Sequence, residues 1–140
     1  PPPPPPPPSS VEEQMLDLIN DHRIASGKAA LAWQDQLGEA AQEHSDDMVA
    51  HNYSSHTGFD GSSPRDRMVA AGYTPAWWGE NINENPPGDP SAQSAFQAWV
   101  NSPDHNANML NANYIHIGIG QATTGSGITR WTVVFGAPLG

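Results

Sequence analysis

The chain has 140 residues and, with 15 acidic against 5 basic side chains, a formal net charge of −10, so it lacks the Lys/Arg surface that nucleic acid or an anionic membrane requires. It contains no cysteine, which excludes disulfides, thiolate metal sites and cysteine nucleophiles. No apolar run approaches the roughly 18 residues of a membrane span, and the length suits one domain with a single core.

The first residues differ in composition from the rest of the chain. Pro1–Pro8 is an uninterrupted proline run, which favours an extended polyproline II rod of about 25 Å at ~3.1 Å per residue. We expect a proline-rich linker over residues 1–10 and a globular domain over residues 11–140. The linker would hold the domain away from a cell wall or an upstream segment, and a ligand for a proline-binding module is the alternative.

Cap signals and apolar residues at helical spacing predict five helices. The predicted segments are Ser10 to Gly27, Asp35 to His51, Pro64 to Ala71, Asp89 to Trp99 and a last helix from Pro103. The start of the last helix is explicit, because Ser102 can cap it and Pro103 suits a first position whose N–H needs no partner. This start places His105 in the first helical turn. His22 and His44, by contrast, share apolar stripes, which predicts packed core histidines.

From Tyr114 onward the apolar period changes from helical to alternating, which predicts a hairpin with its turn at Gly125–Gly127. Ile115, Ile117 and Ile119 are expected to face one way in the first strand, and Trp131, Val133 and Phe135 to share one side of the second. Gly118 and Gly120 lie inside the first strand, where they predict close packing of a helix or loop rather than a dinucleotide-binding loop.

Two predictions concern the middle of the chain. Trp77–Ile82 is expected to be a short strand or extended piece, and Asn83–Gly88 a mobile, turn-rich loop. Together, helices before and after a small antiparallel sheet predict an α+β protein, a three-layer α-β-α sandwich.

Three polar residues stand in unusual surroundings. His56 lies in a polar, Gly-containing loop outside any apolar stripe, and His105 is fixed at a helix start. Glu80 directly follows two tryptophans and a glycine, where a carboxylate is costly without a partner. No intrinsic metal-ligand spacing joins the three positions, so the local pattern alone leaves a structural role open for each.

Short segments in a fixed order cover the chain from about Met15 to Gly136. They are Leu18-Ile19-Asn20 with Arg23, Leu31-Ala32-Trp33, Ala41 with His44 and Met48, Ser55-His56-Thr57-Gly58, Gly72-Tyr73, Gly79-Glu80-Asn81, Ala98-Trp99 through His105, and Ile117-Gly118-Ile119-Gly120 before Trp131-Thr132. Their order and combination resemble the CAP superfamily (cysteine-rich secretory proteins, antigen 5 and pathogenesis-related 1 proteins; the SCP domain), in a cysteine-free bacterial type.

The resemblance implies an α-β-α sandwich in a secreted protein, with a central cleft that holds two histidines and acidic partners. Carried over by position, the cleft residues are His56, His105 and Glu80, and Asn108 takes the glutamine position of the family's Gly-His-x-Thr-Gln segment. Many eukaryotic relatives carry a second glutamate after the helix tryptophan. This chain has Val100-Asn101-Ser102-Pro103 there, so three residues are carried over and not four.

Two neutral imidazoles and a carboxylate could hold a divalent metal, Zn²⁺ above all, with a position open for water. His56 and His105 are the expected metal ligands. The resemblance implies a secreted, monomeric binding module that recognises a small apolar ligand or an extracellular partner. The alternative is a metal-dependent extracellular hydrolase, peptidase-like, with Glu80 as ligand or general base. In a third interpretation the polar residues only hold the loops together.

Overall fold

The computed structural model describes residues 10–140, so the predicted proline rod lies outside the described residues. In this range helices flank a single sheet. The elements in chain order are α1 (Val11–Ala25), β1 (Ala32–Trp33), α2 (Asp35–Ala50), α3 (Pro64–Ala70), β2 (Pro75–Asn85), α4 (Ala92–Val100), α5 (Pro103–Met109), β3 (His116–Thr123) and β4 (Thr129–Pro138). None of the helices within residues 10–140 is both long and apolar enough to cross a membrane.

The sheet has four strands in the order β1-β3-β4-β2. The predicted hairpin forms β3 and β4, and β2 pairs antiparallel with β4 on the other side. The sheet is mixed, because the backbone amides of Ala32 and Gln34 donate to the carbonyls of Ile115 and Ile117 and make β1 parallel to β3. The predicted α+β sandwich is confirmed, with this short parallel strand added to it.

Each face of the sheet is covered by its own helices. The larger cluster packs α1, α4 and α5 against one face and contains Met15, Ile19, Leu31, Ala92, Ala95, Trp99, Met109, Tyr114, Ile117, Ile119, Trp131, Val133 and Phe135. The smaller cluster packs α2 and α3 against the other face and contains Leu37, Ala41, Met68, Tyr73 and Val134. The alternation of the hairpin residues between these clusters places two apolar layers around the sheet.

The glycines of β3 let α2 lie directly on the sheet. A Cβ added at Gly118 would overlap the backbone of Leu37 and Gly38, and one at Gly120 would overlap the backbone at Gln42. The predicted close approach of a helix to these two glycines is therefore confirmed.

Two boundary predictions were wrong. Asn83–Asn85 is not part of a loop but continues β2, paired with Trp131, Arg130 and Thr129 of β4. Strand pairing outweighs the turn preference of asparagine here, because propensity is weaker than tertiary context in a sheet. The fourth helix is capped by Ser91, whose hydroxyl accepts from the Ser94 amide, and not by Asp89.

A buried arginine ties the first helix to the last. Arg23 is 2% exposed, and its guanidinium donates to the carbonyls of Ala29, Met109 and Asn111. Cations near a helix C-terminus satisfy carbonyls that have no partner within the helix. Arg23 thereby fixes the end of α5, the helix that carries His105.

Candidate functional site

His56 and Glu80 are in direct contact. The Nδ1 atom of His56 lies 2.8 Å from Oε1 of Glu80. The carboxylate comes from the middle of β2 and is 1% exposed, whereas the imidazole lies in the loop before α3 with 52% of its side chain exposed. Since an ionised carboxylate only accepts hydrogen bonds, Nδ1 carries the proton of this pair.

The second oxygen of Glu80 is held by Arg67 of α3. Nη2 of Arg67 lies 2.9 Å from Oε2 of Glu80 and also donates to the His56 carbonyl at 2.9 Å. Nη1 donates to the Ser62 carbonyl at 3.0 Å. Both oxygens of the buried carboxylate therefore have a partner, and the arginine neutralises its charge, as a buried carboxylate requires.

His105 stands in the first turn of α5, as predicted. Ser102 and Pro103 occupy the positions expected for the cap and the first helical residue, but the Ser102 side chain makes no cap hydrogen bond. Its hydroxyl lies instead 2.8 Å from Nδ1 of His105. The serine thus orients the imidazole rather than the helix backbone.

Two side-chain amides, the buried one of Asn81 and the half-buried one of Asn108, connect β2 with α5. The side-chain amide of Asn81 donates to the His105 carbonyl at 3.0 Å. The amide of Asn108 donates to the Asn81 side chain at 3.0 Å and to the Glu80 carbonyl at 3.3 Å. These contacts fix α5 against the strand that carries Glu80, so the two histidines are held on elements joined through one network.

The outer edge of β2 is covered by side chains. The Gly136 carbonyl accepts from the Ile115 amide, so it points away from β2, and the opposite residue Trp78 directs its own N–H and C=O outward. The same holds for every second residue. The outward carbonyls of Trp78, Glu80 and Ile82 accept from Tyr114, Asn108 and Trp99, respectively. This edge therefore offers no carbonyl ladder to an added strand.

A cleft of about 340 Å³ opens beside this edge. Its lining residues are His56, Pro64, Trp78, Gly79, Glu80 and Asn108. His105 does not line this volume, but it lies three residues before Asn108 and therefore on the same side of α5. Pro64, Trp78 and Gly79 form the apolar part of the lining, His56, Glu80 and Asn108 are its polar residues, and Trp78 is 42% exposed.

The surroundings push the pKa values of the two histidines apart. The hydrogen bond to Glu80 raises the pKa of His56, and partial burial opposes that shift. Burial lowers the pKa of His105, and the nearby positive charge of His56 lowers it further.

The chemistry of the donor atoms limits how a metal could bind here. Within residues 10–140 the Nε2 atoms of His56 and His105 have no hydrogen-bond partner, while both Nδ1 atoms are engaged. Both Glu80 oxygens are also engaged. The described part of the chain holds no group of three or more His, Asp or Glu side chains arranged around one ion. An ion bound here would have the two Nε2 atoms and water as ligands, with Glu80 behind His56 as the orienting carboxylate.

The two histidines predicted to be packed are so. His44 is buried, and its Nε2 lies 2.7 Å from the Ser55 carbonyl, which anchors the loop next to His56. His22 is half-buried, hydrogen-bonded to Asn106 and edge-on to Phe96. Neither takes part in the cleft.

Sequence reasoning missed Arg67 as a site residue and the covering of β2 by side chains. Arg67 carries one of only five Lys/Arg side chains in the chain. It lies on the short helix α3, which directly precedes the strand that carries Glu80. A buried carboxylate in an acidic chain needs one of those few cations, and this scarcity is the signal that could have pointed to Arg67.

Sequence comparisons place the chain in a known family. The profile of the cysteine-rich secretory protein family (CAP) matches residues 16–135. YlbC, an uncharacterized membrane protein of Bacillus subtilis, is 37% identical over 123 residues, which cover 86% of this chain and 35% of the relative. The chain thus spans about a third of that relative's length.

Solved structures share the fold. An outer surface protein from Borrelia burgdorferi has a TM-score of 0.83 at 21% identity, with 92% of this chain and 93% of that chain covered. An extracellular SCP-domain protein from Bacillus anthracis has a TM-score of 0.79 at 29% identity, covering 90% of this chain and 40% of that chain. NaASP2, crystallised with Zn²⁺, has a TM-score of 0.65 at 15% identity and covers 91% of this chain and 80% of that chain. The Borrelia and Bacillus anthracis proteins are described as an outer surface protein and an extracellular protein. The profile match over residues 16–135 shows that the chain belongs to the cysteine-rich secretory protein (CAP) family.

Proposed function

We propose that residues 11–140 form a secreted CAP module whose cleft binds a divalent metal ion, best Zn²⁺, weakly through His56 and His105. The observation that carries the proposal is the state of the two imidazoles. Each has its Nδ1 engaged by a neighbour and its Nε2 without a partner in the described residues, which is the arrangement that metal-ligating histidines usually show. Residues 1–10 would serve as the spacer that holds the module away from a cell wall.

A bound ion would supply a Lewis-acidic position open to water or to an oxygen of a ligand. The chain's own residues set the rest of the site. Glu80 and Ser102 orient the two imidazoles, and Asn81 and Asn108 keep α5 at its place against β2. Zn²⁺ is the first probe to use, since a protein of the same fold, NaASP2, was crystallised with it.

The cleft walls favour a small apolar ligand or an apolar group of an extracellular partner. Pro64, Gly79 and the half-exposed Trp78 form the apolar half of the lining, and small-molecule sites typically combine apolar walls with a few polar groups. The net charge of −10 disfavours nucleic acid and anionic membranes as partners.

The hydrolase alternative requires a base that is free to take a proton from water. Both Glu80 oxygens already have partners, His56 on one side and Arg67 on the other. In this arrangement Glu80 orients the imidazole instead of acting on water. This engagement of Glu80 favours a binding role of the cleft over a peptidase mechanism that uses Glu80 as the base.

Titration calorimetry with zinc tests the proposal. The wild type at about pH 7.5, where histidine is mostly neutral, is expected to bind one zinc ion, and the His56→Ala/His105→Ala double variant to bind none at this site. The matched control is His51→Ala, which removes an exposed histidine that lies outside the cleft. Equal zinc affinity and stoichiometry in the wild type and the double variant would refute the proposal.

A further inference from the structure

We infer that Arg67 is the positioning residue of the cleft: it fixes the Glu80 carboxylate so that His56 keeps its proton on Nδ1 and presents an unprotonated Nε2. The inference deepens the proposed function and rests on it in one respect, the metal as ligand of Nε2. The tautomer of His56 is a property of the protein alone and is tested without metal.

The guanidinium of Arg67 joins three parts of the structure. Arg67 comes from α3, and its two terminal nitrogens reach Glu80 in β2, the His56 carbonyl in the preceding loop and the Ser62 carbonyl next to α3. Its side chain is 10% exposed. A planar fork held at three points cannot rotate without breaking several hydrogen bonds.

The two carboxylate oxygens of Glu80 have different partners. Arg67 takes Oε2 of Glu80, and His56 takes Oε1. With Oε2 held, the carboxylate plane is fixed and Oε1 points at the imidazole. Without the arginine, the carboxylate could turn about its last torsion, which has a broad, two-fold profile. The proton on Nδ1 would then lose its fixed acceptor.

Arg67 also holds the backbone of His56. The same Nη2 atom that holds Glu80 also donates to the His56 carbonyl. Arg67 therefore holds both the backbone of His56 and the Glu80 carboxylate that accepts the hydrogen bond from the His56 ring. A lysine would place a single point charge there and could not span these acceptors in one plane.

The experiment compares Arg67→Gln and Arg67→Lys with Arg65→Gln. Arg65 is exposed on the same short helix, so Arg65→Gln matches the loss of charge without touching Glu80. Long-range ¹H–¹⁵N NMR spectra of metal-free protein at about pH 8.5, where an unperturbed imidazole is neutral, report which ring nitrogen of His56 carries the proton. Zinc titrations of the same four proteins follow.

In the wild type and in Arg65→Gln, His56 is expected to be protonated on Nδ1. In Arg67→Gln the His56 ring should become a mixture of the two tautomers, and Arg67→Lys should give an intermediate mixture. Zinc affinity should fall about 10-fold to 100-fold in Arg67→Gln, as is typical when an orienting partner of a ligand is lost. If Arg67→Gln folds poorly, the comparison of Arg67→Lys with the wild type gives the same answer.

An unchanged His56 tautomer in both Arg67 variants would overturn the inference, whatever the zinc result. A changed tautomer in a protein that binds no zinc would support the inference and remove the proposed metal function instead. Failure of the Arg67 inference can thus be distinguished from failure of the proposed metal binding.

Discussion

Asn81 and His105 are 24 residues apart in the chain, yet the Asn81 side-chain amide donates to the His105 carbonyl at 3.0 Å. Asn81 is 0% exposed, and its oxygen accepts from Asn108 one turn further along α5. A single buried side chain on β2 thereby fixes the position of α5, the helix that carries His105, relative to the strand.

Replacing Asn81 by alanine should destabilise the protein. The change leaves the part-buried His105 carbonyl and the Asn108 amide without this partner, and unsatisfied buried groups cost about 1–3 kcal/mol. Urea unfolding of Asn81→Ala measures the loss of unfolding free energy. The control is Asn113→Ala, an exposed position expected to stay within about 0.5 kcal/mol of the wild type. Equal stabilities of the two variants would contradict the role of Asn81.

Packing of α2 on the sheet gives a second prediction. Gly118→Ala should lower the unfolding free energy by about 1–3 kcal/mol or more, because the new methyl group meets the backbone of Leu37 and Gly38 and the helix must shift. Gly125→Ala, in the hairpin turn with nothing within 4 Å of the added Cβ, is the control and should change little. Thermal unfolding of both variants decides the matter, and a stable Gly118→Ala would show that α2 does not rest on β3 at this point.

The contact between His56 and Glu80 predicts a pH-dependent contribution to stability. Because the hydrogen bond to Glu80 raises the pKa of His56, the folded state binds this proton more tightly than the unfolded state, whose imidazole titrates near ~6.5. The stabilisation is fully present below that value and is lost as the pH rises through the folded-state pKa.

His56→Ala should therefore reduce the unfolding free energy more at about pH 5.5 than at about pH 8.5, on either side of the ordinary histidine pKa. Urea unfolding of the variant and the wild type at both pH values measures the difference. A larger loss on the alkaline side would mean that the imidazolium is not stabilised by Glu80 in the folded protein.

Zinc affinity should also depend on pH. Both imidazoles must be neutral, with Nε2 free of a proton, to bind the ion, and the raised pKa of His56 extends its doubly protonated, cationic form to higher pH. We expect affinity to rise steeply as the pH increases through and beyond about 6.5. Calorimetry over this range tests it, and an affinity independent of pH would argue against imidazole ligands.

Local sequence signals accounted for the elements with strong, repeated patterns. The spacing of apolar residues predicted α2 and the hairpin, and Gly118 and Gly120 predicted that a helix packs closely against β3. The strand β1 was missed because two residues carry no period, and its pairing with β3 depends on residues more than 80 positions away.

The site was predictable in part. Resemblance to the family singled out His56, Glu80 and His105, and the structure brings the first two into contact. The partner of Glu80 was not found, because Arg67 reaches it only after α3 and β2 have packed together. No local spacing encodes such a meeting.

The most direct measurement is a crystal structure of the wild-type protein soaked with zinc, with data collected at the zinc absorption edge. We predict an anomalous peak bonded to Nε2 of His56 and Nε2 of His105, with Glu80 still held by Arg67. A peak at His51 and Asp47 with none between the cleft imidazoles, or no peak at saturating zinc, would contradict the proposed metal-binding cleft.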